Sequence, residues 1–314
     1  MSNFFRKLRT YLSINFFTNF KNIREDQYLY KKINYFYSVL HKKQRNSKKK
    51  THLILTNEII NLIKKKKLPN FLRNSYLQKI FFIHNRFFLL IYLLNIFLDK
   101  NWQFWKKLIR ENNVGNPLRF FLFSFTSGNK IFQVFHLKFL AKIIDKDIRK
   151  FDFILEFGGG YGNMSQIFQK VNNNNKYIIF DLLEVNLLQY YYLKKNGFKV
   201  SINKDDGSNI ILVNSLFLLK KILLKYKLNK NSLFIANWSI SETPIRFRKK
   251  FKFIYKFFNY QLIAYQKKFE GIDNVSFFKK SIINNLVNKN FVMQKCFLIR
   301  NSFYLIIFPR SKRI

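Results

Sequence analysis

Four of the nine glycines of this chain lie between positions 158 and 162. The apolar run Ile154 to Phe157 precedes them, and a helical pattern follows. Glycine adopts backbone conformations that other residues avoid, and it lets a ligand approach the main chain closely. The pattern therefore predicts a strand, a tight ligand-binding turn, and a helix whose N-terminus favours a negatively charged group.

Short apolar runs alternate with longer helical segments after residue 150. The runs 177–181, 233–237 and 261–265 have the length of buried strands. This alternation predicts an α/β fold of the Rossmann-like type, with a mostly parallel sheet covered by helices. The third strand has two candidates, which are Phe198 to Ile202 and Asn209 to Val213.

The chain ends in two apolar runs, 291–299 and 303–308, joined by three polar residues. Such a pair is typical of an antiparallel hairpin. A mostly parallel sheet with an antiparallel C-terminal hairpin is the class I methyltransferase variant of the Rossmann-like fold.

The first 110 residues have the pattern of helices broken by basic segments. A turn-rich segment at 111–117 separates them from a further helix at 130–144. We expect a helical N-terminal region over residues 1–125, acting as a lid, an acceptor-binding region or a homodimer surface, and a cofactor-binding domain over 126–314. The most apolar run, Phe87 to Leu98, is shorter than the ~20 residues that cross a bilayer. It predicts a buried helix.

The chain carries 58 Lys and Arg against 16 Asp and Glu, a net charge of +42. Such a charge attracts polyanions, including nucleic acid. Lys, Asn, Ile and Phe are abundant while Ala and Pro are scarce, a bias that drift toward A and T in the coding DNA also produces. Charge alone therefore carries little weight, and the runs 42–50 and 64–67 are expected to be solvated loops.

The N-terminal segment Met1 to Arg24 has neither a clean apolar stretch nor a small-residue cleavage site, so it does not resemble a secretory signal. It is a candidate basic amphipathic helix for peripheral contact with an anionic membrane. The single cysteine, Cys296, cannot form an internal disulfide, which fits a reducing compartment. We expect a cytoplasmic protein.

An acid, Glu156, precedes the first glycine of the turn by two positions. A dehydrogenase turn would carry glycine at 163, where this chain has Asn163. The pattern Glu-x-Gly-x-Gly-x-Gly suits S-adenosyl-L-methionine better, because a carboxylate there faces the amino-acid end of that cofactor. The alternative, an ordinary turn between a strand and a helix, does not explain four glycines with this acid.

A second acid, Asp181, ends the next predicted strand, 25 positions beyond Glu156. An acid in this place accepts hydrogen bonds from ribose hydroxyls. Asp181 is also a candidate helix cap, because Glu184 follows three residues later as in a capping box. The two roles are compatible.

At three segments the sequence resembles the sugar O-methyltransferases found with surface-polysaccharide biosynthesis genes. The segments are LEFGGGYGNM at 155–164, FDLLEVNLLQYYYL at 180–193 and NWSISETP at 237–244, with looser similarity at VGNP (114–117) and FEGIDN (269–274). Family members usually carry proline where this chain has Leu183, a change that leaves Asp181 in place.

This resemblance implies methyl transfer to a sugar hydroxyl, on a nucleotide-sugar or a lipid-linked glycan. Together with the glycine turn and the two acids, it gives one set of expected cofactor-binding residues: Glu156, Gly158, Gly159, Gly160, Tyr161, Gly162, Asn163, Asp181, Leu182 and Asn237.

A base that removes the hydroxyl proton would accelerate such a transfer, and Glu242 is the first candidate. The alternative role for this segment is structural, with Ser241 capping a helix and Glu242 favouring its dipole. Asp273 is a weaker catalytic candidate that could instead cap a helix. His136 is another, although a lone histidine among Phe and Leu residues is more often a packed core residue. No cluster of residues shows metal-ligand spacing.

Two other function classes stay open at this point. The positive charge supports an RNA methyltransferase, although Asn237 to Ile240 does not match the motif of an enzyme that methylates an amino group of a nucleic-acid base. A scaffold that keeps the fold without catalysis is the third interpretation, since a fold alone does not guarantee function.

Overall fold

The computed structural model describes residues 27–41, 50–81, 85–226, 230–286 and 288–310. The segment Met1 to Arg24 and most of the basic run 42–50 lie outside these residues. The chain divides into two compact units, one within residues 1–136 and 187–197, the other within 137–186 and 198–314. The predicted domain boundary at residue 125 stays a prediction.

The second unit contains an eight-stranded sheet. Six strands are parallel, and the last two form the antiparallel hairpin that the sequence predicts. Its strands are β3 (Phe153–Phe157), β4 (Lys176–Phe180), β5 (Val200–Ile202), β6 (Ile210–Val213), β7 (Ser232–Asn237), β8 (Tyr260–Gln266), β11 (Lys289–Lys295) and β12 (Ser302–Pro309). The sheet has the order β11-β12-β8-β7-β3-β4-β6-β5, which confirms the Rossmann-like class I methyltransferase fold.

Both candidates for the third strand are strands. β6 pairs with β4, and β5 extends the sheet beyond it as an edge strand. Every residue of β3, β5 and β6 is buried, as expected for parallel strands covered on both faces. The short hairpin of β9 (Lys268–Phe269) and β10 (Ile272–Asp273) follows β8.

The strand order reverses its direction at β3, in the middle of the sheet. From β3 the chain continues to β4 on one side, and β7 lies on the other side. In open α/β sheets, ligands bind at such a reversal, beyond the carboxyl ends of the strands. The helices from residue 128 onward are α6 (Gly128–Ile144), α7 (Asn163–Val171), α8 (Leu183–Lys195), α9 (Leu216–Lys225), α10 (Ile245–Phe251), α11 (Ile254–Phe257) and α12 (Asn274–Ser281). Of these, α6 and α8 each contribute residues to both units.

The first unit is helical, as predicted, with one small hairpin before α6. The hairpin consists of β1 (Arg119–Phe120) and β2 (Phe123–Ser127). Residues Lys64 to Lys67 are exposed, as expected for a solvated segment. The helices are α1 (Gln27–His41), α2 (Lys50–Lys64), α3 (Ser75–Phe81), α4 (Arg86–Phe97) and α5 (Trp102–Ile109).

The prediction of a buried helix over 87–98 is correct for one face of that helix only. The most apolar run forms α4, but only one face of the helix is buried, with Leu89, Leu93 and Ile96 among its residues. Phe87 and Leu94 are 65% and 48% exposed on the opposite face. An all-apolar helix carries no periodic signal that tells which face is covered, so its composition overstated the burial.

No single helix among the described residues is long and apolar enough to cross a bilayer. Helices α3 and α4 are long and apolar enough only when the two are taken together, and they are inclined to each other by 51°.

Candidate functional site

The turn after β3 uses backbone conformations that favour glycine. The φ angle is +71° at Gly158, +56° at Gly160 and +95° at Gly162. A Cβ on Gly158 would lie only 2.3 Å from Cβ of Ser239, in the loop after β7. The Ser239 hydroxyl donates a hydrogen bond to the carbonyl of Phe157, the last residue of β3. Two loops therefore meet at Gly158, and a side chain there would separate them.

Gly159 is equally confined, although its backbone is ordinary. A Cβ on Gly159 would lie 2.7 Å from Cγ2 of Ile179 and 3.0 Å from Oε2 of Glu156. Real Cβ atoms essentially never approach a neighbour within 3.0 Å. The glycine turn thus lies directly against the end of β4 and against the acid of β3.

Glu156 lies near the carboxyl end of β3, in the middle of the sheet, and only 4% of its surface is exposed. The hydroxyl of Tyr177, on β4, donates a hydrogen bond of 2.9 Å to its Oε2. Burial raises the pKa of Glu156 to about 8, the charge of Asp181 adds to the rise, and the Tyr177 hydrogen bond opposes it. At neutral pH the carboxyl is therefore mostly protonated, and a nearby cation would favour its ionisation.

Asp181 directly follows β4, at the same carboxyl end of the parallel strands, and is half-buried. Its N–H donates to the carbonyl of Val213 in β6 at 3.0 Å. Its Oδ1 accepts a hydrogen bond of 2.8 Å from the N–H of Leu182. These two bonds fix the backbone and the orientation of the carboxylate at the end of the strand.

Asn186 was missed by the sequence analysis. It lies in the first half of α8, one turn after Leu182, and it is fully buried. Among the described residues, neither Oδ1 nor Nδ2 of its side chain has a hydrogen-bond partner. A buried polar group without a partner costs about 1–3 kcal/mol, so a polar ligand that reached this side chain would remove a penalty.

Helix α7 begins at Asn163, immediately after the glycine turn. Gly162 caps the helix and has no side chain that could cover its first turn, and no acidic residue lies in that turn. Tyr161 and Asn163 are buried. The partial positive charge of this helix end is therefore available to an anionic group at the turn.

The loop after β7 starts with a rare backbone conformation. Asn237 ends the strand, half-buried, and Trp238 has a φ of +59°. A bulky residue with positive φ is an outlier that costs about 1–3 kcal/mol. The Trp238 N–H donates to the carbonyl of Ala264 in β8 at 2.7 Å, which helps to hold this conformation. Strain of this kind is concentrated at functional sites.

Glu242 lies four residues further on, half-buried, and a side-chain amide holds its carboxylate. Nε2 of Gln266, the last residue of β8, donates to Oε1 of Glu242 at 3.2 Å. Oε1 of Gln266 lies 2.6 Å from the hydroxyl of Ser241 and accepts a hydrogen bond from it. The same hydroxyl lies 2.6 Å from the carbonyl of Trp238.

A fully buried arginine, Arg248 on α10, binds backbone carbonyls before and after Glu242. Its guanidinium donates to the carbonyl of Ser241 and, at 2.8 Å, to the carbonyl of Thr243. It also donates to Oδ1 of Asn274 at 2.5 Å. The Asn274 amide in turn donates to the backbone carbonyl of Gln266 at 2.7 Å. One network thus joins the loop after β7 to the start of α12.

The two weaker catalytic candidates have the structural roles that were considered as alternatives. Asp273 is exposed and caps α12, accepting a hydrogen bond of 3.1 Å from the N–H of Ser276. His136 is fully buried in the first unit, with its ring centroid 4.1 Å from that of Phe132. Burial lowers the pKa of His136 to about 3, so its ring is neutral.

The second unit therefore brings together one set of expected residues, namely Glu156, the glycines, Asp181, Asn237 and Glu242. Its additional members are Tyr177, Asn186, Arg248 and Gln266, which no local sequence signal distinguished. Among the residues that the structure describes, no three His, Cys, Asp or Glu side chains lie together as metal ligands would.

No protein-family model matches this chain, and no curated protein matches it significantly. Among solved structures, PigF with SAH has a TM-score of 0.38 at 13% identity, covering 76% of this chain and 74% of PigF. Human N-acetylserotonin methyltransferase in complex with SAM has a TM-score of 0.33 at 12% identity, covering 70% of each chain. M. capricolum TrmK in complex with S-adenosyl-homocysteine has a TM-score of 0.36 at 14% identity, covering 57% of this chain and 69% of TrmK. At this level of similarity, the fold assignment rests on the strand order and register of the chain's own sheet.

Proposed function

We propose that this protein is an S-adenosyl-L-methionine-dependent O-methyltransferase whose acceptor is a sugar hydroxyl. The observation that carries the proposal is the glycine turn after β3, closed by Ser239 and lined by the buried acid Glu156. This turn lies at the strand-order reversal of a methyltransferase-type sheet, where α/β proteins bind their ligands.

The residues around the turn fit the parts of this cofactor. Glu156 would receive the ammonium group, and the N-terminus of α7 would receive the carboxylate. Asp181 would accept hydrogen bonds from the ribose hydroxyls. The buried amide of Asn186, which has no hydrogen-bond partner in the described part of the chain, supports a polar ligand near the start of α8.

S-adenosyl-L-methionine supplies a methyl group on a positively charged sulfur. The protein then has two tasks, to align the acceptor oxygen with that methyl group and to take up the proton that the hydroxyl loses. Glu242 would accept this proton as the acceptor oxygen bonds to the methyl carbon and the carbon–sulfur electron pair returns to sulfur. Gln266 and Arg248 would hold Glu242 in place.

The sugar acceptor is supported by the resemblance at residues 155–164, 180–193 and 237–244. A nucleotide-sugar and a lipid-linked glycan are both suitable carriers of the hydroxyl. The net charge of +42 favours a second candidate, an RNA methyltransferase, because basic proteins bind phosphate backbones with strong salt dependence.

The test is transfer of a radioactive methyl group from the cofactor to separate pools of nucleotide-sugars, lipid-linked glycans and RNA. We expect label in a sugar pool, and loss of most of it in Glu242→Gln with cofactor binding unchanged. Glu270→Gln, the same substitution in the exposed β9–β10 turn, is the control and should retain full transfer. Label only in RNA would replace the sugar acceptor, and full activity of Glu242→Gln would exclude this residue as the base.

A further inference from the structure

The first unit exposes an apolar surface formed by two segments. Phe87, Leu94 and Leu98 are 65%, 48% and 79% exposed along α4 and its C-terminal cap. They are spaced by seven and four residues, so they form one stripe along the helix. Together with Phe97, which is 53% exposed, we call this the α4 stripe.

The second segment is the tip of the β1–β2 hairpin. Phe120 pairs with Phe123, so Phe121 and Leu122 form a two-residue turn. These two turn residues and Phe123 are 41%, 51% and 43% exposed. Turns of this kind normally carry Gly, Asn, Asp or Ser, and an exposed Phe-Leu tip is therefore unfavourable in water.

A cation joins the two segments. The guanidinium of Arg86, the first residue of α4, lies 5.2 Å from the centre of the Phe121 ring. Seven large exposed apolar side chains thus belong to two segments in contact. Large exposed apolar patches on soluble proteins mark sites of interaction with a partner or a membrane.

The charges around the α4 stripe indicate which partner. Residues 86–110 contain the five bases Arg86, Lys100, Lys106, Lys107 and Arg110, and the single acid Asp99. Asp99 is already engaged, because its Oδ1 accepts hydrogen bonds from the Trp105 indole at 3.1 Å and from the Asn101 N–H at 2.9 Å.

A tryptophan extends the surface toward the lysines. Trp102 packs against Phe97 of the α4 stripe, with ring centroids 5.1 Å apart. Lys106 follows one turn later on the same face of α5 and is exposed. Apolar side chains bordered by lysine and tryptophan are typical of helices that lie in the interface of a membrane.

We propose that the α4 stripe and the hairpin tip together dock on an anionic phospholipid bilayer. The apolar side chains enter the boundary between headgroups and acyl chains, and the surrounding cations contact the headgroups. A second copy of this chain would bring the same positive charges together, whereas an anionic lipid surface neutralises them. This inference does not depend on the proposed enzymatic activity.

The test is sedimentation of the full chain with vesicles of phosphatidylcholine, with or without phosphatidylglycerol. We expect binding that phosphatidylglycerol strengthens and added salt weakens. Leu94→Gln combined with Leu98→Gln removes the stripe, and Phe121→Asn combined with Leu122→Gly replaces the tip with a favourable turn sequence. Each pair should weaken partitioning about tenfold. Phe217→Gln, at an apolar residue 81% exposed on α9, is the matched control and should bind normally.

The depth to which a side chain enters the bilayer gives a second readout. It distinguishes insertion of the apolar side chains from attraction by charge alone. Brominated lipids should quench the fluorescence that a Leu122→Trp substitution adds to that of the three native tryptophans, and should not quench the fluorescence that a Phe217→Trp substitution adds. Equal binding by wild type and both double variants would overturn the proposal, as would binding lost entirely on deletion of residues 1–24. A wild-type dimer that the stripe variants dissociate, without binding to vesicles, would assign the surface to a second copy instead.

Discussion

The hydroxyl of Tyr177 donates a hydrogen bond of 2.9 Å to Oε2 of Glu156, across the β3–β4 pair inside the sheet. Residue 177 pairs with Ile154, two residues before Glu156, so the two side chains lie on the same face of neighbouring strands. The phenol supplies one hydrogen bond to a buried carboxyl whose ionised form still lacks a compensating positive charge. Burial therefore raises the pKa of Glu156 to about 8, although the Tyr177 hydrogen bond opposes the rise.

Cofactor binding should therefore depend on pH. Below about pH 8, free Glu156 holds a proton that must leave when an ammonium group binds, so affinity rises with pH. An α-amino group itself loses its proton near pH 8, so affinity should fall again at higher pH. Calorimetry in buffers of different ionisation enthalpy should record release of about one proton near pH 6.5 and uptake near pH 9.5. Affinity that is constant over this range would contradict the role of Glu156.

Glu156→Gln should make the free protein more stable and the complex weaker. A carboxyl whose pKa is raised by folding contributes no penalty below the unfolded pKa of about 4.5, and its full penalty above about pH 8. The amide removes this penalty and still accepts the Tyr177 hydrogen bond. We expect a gain in unfolding free energy on the order of a few kcal/mol at pH 8 and little change at pH 4. Urea denaturation at both pH values measures this difference.

Gly158→Ala should destabilise the protein more than its backbone angle alone explains. Gly207 has a φ of +85°, but no atom lies within 4 Å of the position of its Cβ. Gly207→Ala therefore measures the cost of the conformation alone, about 1 kcal/mol. We expect at least about 3 kcal/mol for Gly158→Ala, because its Cβ would displace Ser239. Ser239→Gly should restore part of that difference in denaturation experiments, and equal losses at the two glycines would show that the loops are not in contact.

Arg248→Lys should reduce methyl transfer while cofactor affinity changes little. A lysine cannot donate to Ser241, Thr243 and Asn274 in the geometry of the guanidinium fork. We expect kcat to fall about 100-fold with the loss of alignment of Glu242, and KM for the cofactor to stay within about twofold. Arg246→Lys, at an exposed position of the same helix, is the control.

Gln266→Met should have a smaller effect in the same direction. It removes the hydrogen bond to Glu242 but leaves the backbone carbonyl of residue 266 bound to Asn274. We expect kcat to fall about tenfold, the value of one or two lost hydrogen bonds. Gln294→Met, at an exposed position on β11, is the comparison. A fall in cofactor affinity without a fall in kcat would mean that Gln266 does not act through Glu242.

The sheet was predictable because its signals are local. Glycine, β-branched and aromatic residues mark the turn after β3, the buried strands and the C-terminal hairpin within a few positions each. The sequence contains two candidates for the third strand, and both form strands. Their positions in the sheet could not be predicted, because only the pairing of β6 with β4 shows which of them is the inner strand. Glu156 and Asp181 were predictable from their positions relative to the strand ends.

The residues that support these acids depend on contacts distant in sequence. Tyr177 lies 21 residues from Glu156, and Arg248 lies 26 residues from Asn274. Arg248 is also one of 58 basic residues, so its residue type alone did not distinguish it. The burial of α4 was overestimated for a related reason, because an apolar composition on all sides does not say which side has a neighbour.

The most direct test of the central claim is binding of S-adenosyl-L-methionine to the purified chain by calorimetry. The account predicts one site in the wild type, with binding lost in Gly160→Val and weakened at least about tenfold in Asp181→Ala. It predicts no change in Asp206→Ala, which removes a carboxylate from an exposed turn. Absence of binding by a folded wild-type chain, or equal affinity of all four proteins, would contradict it.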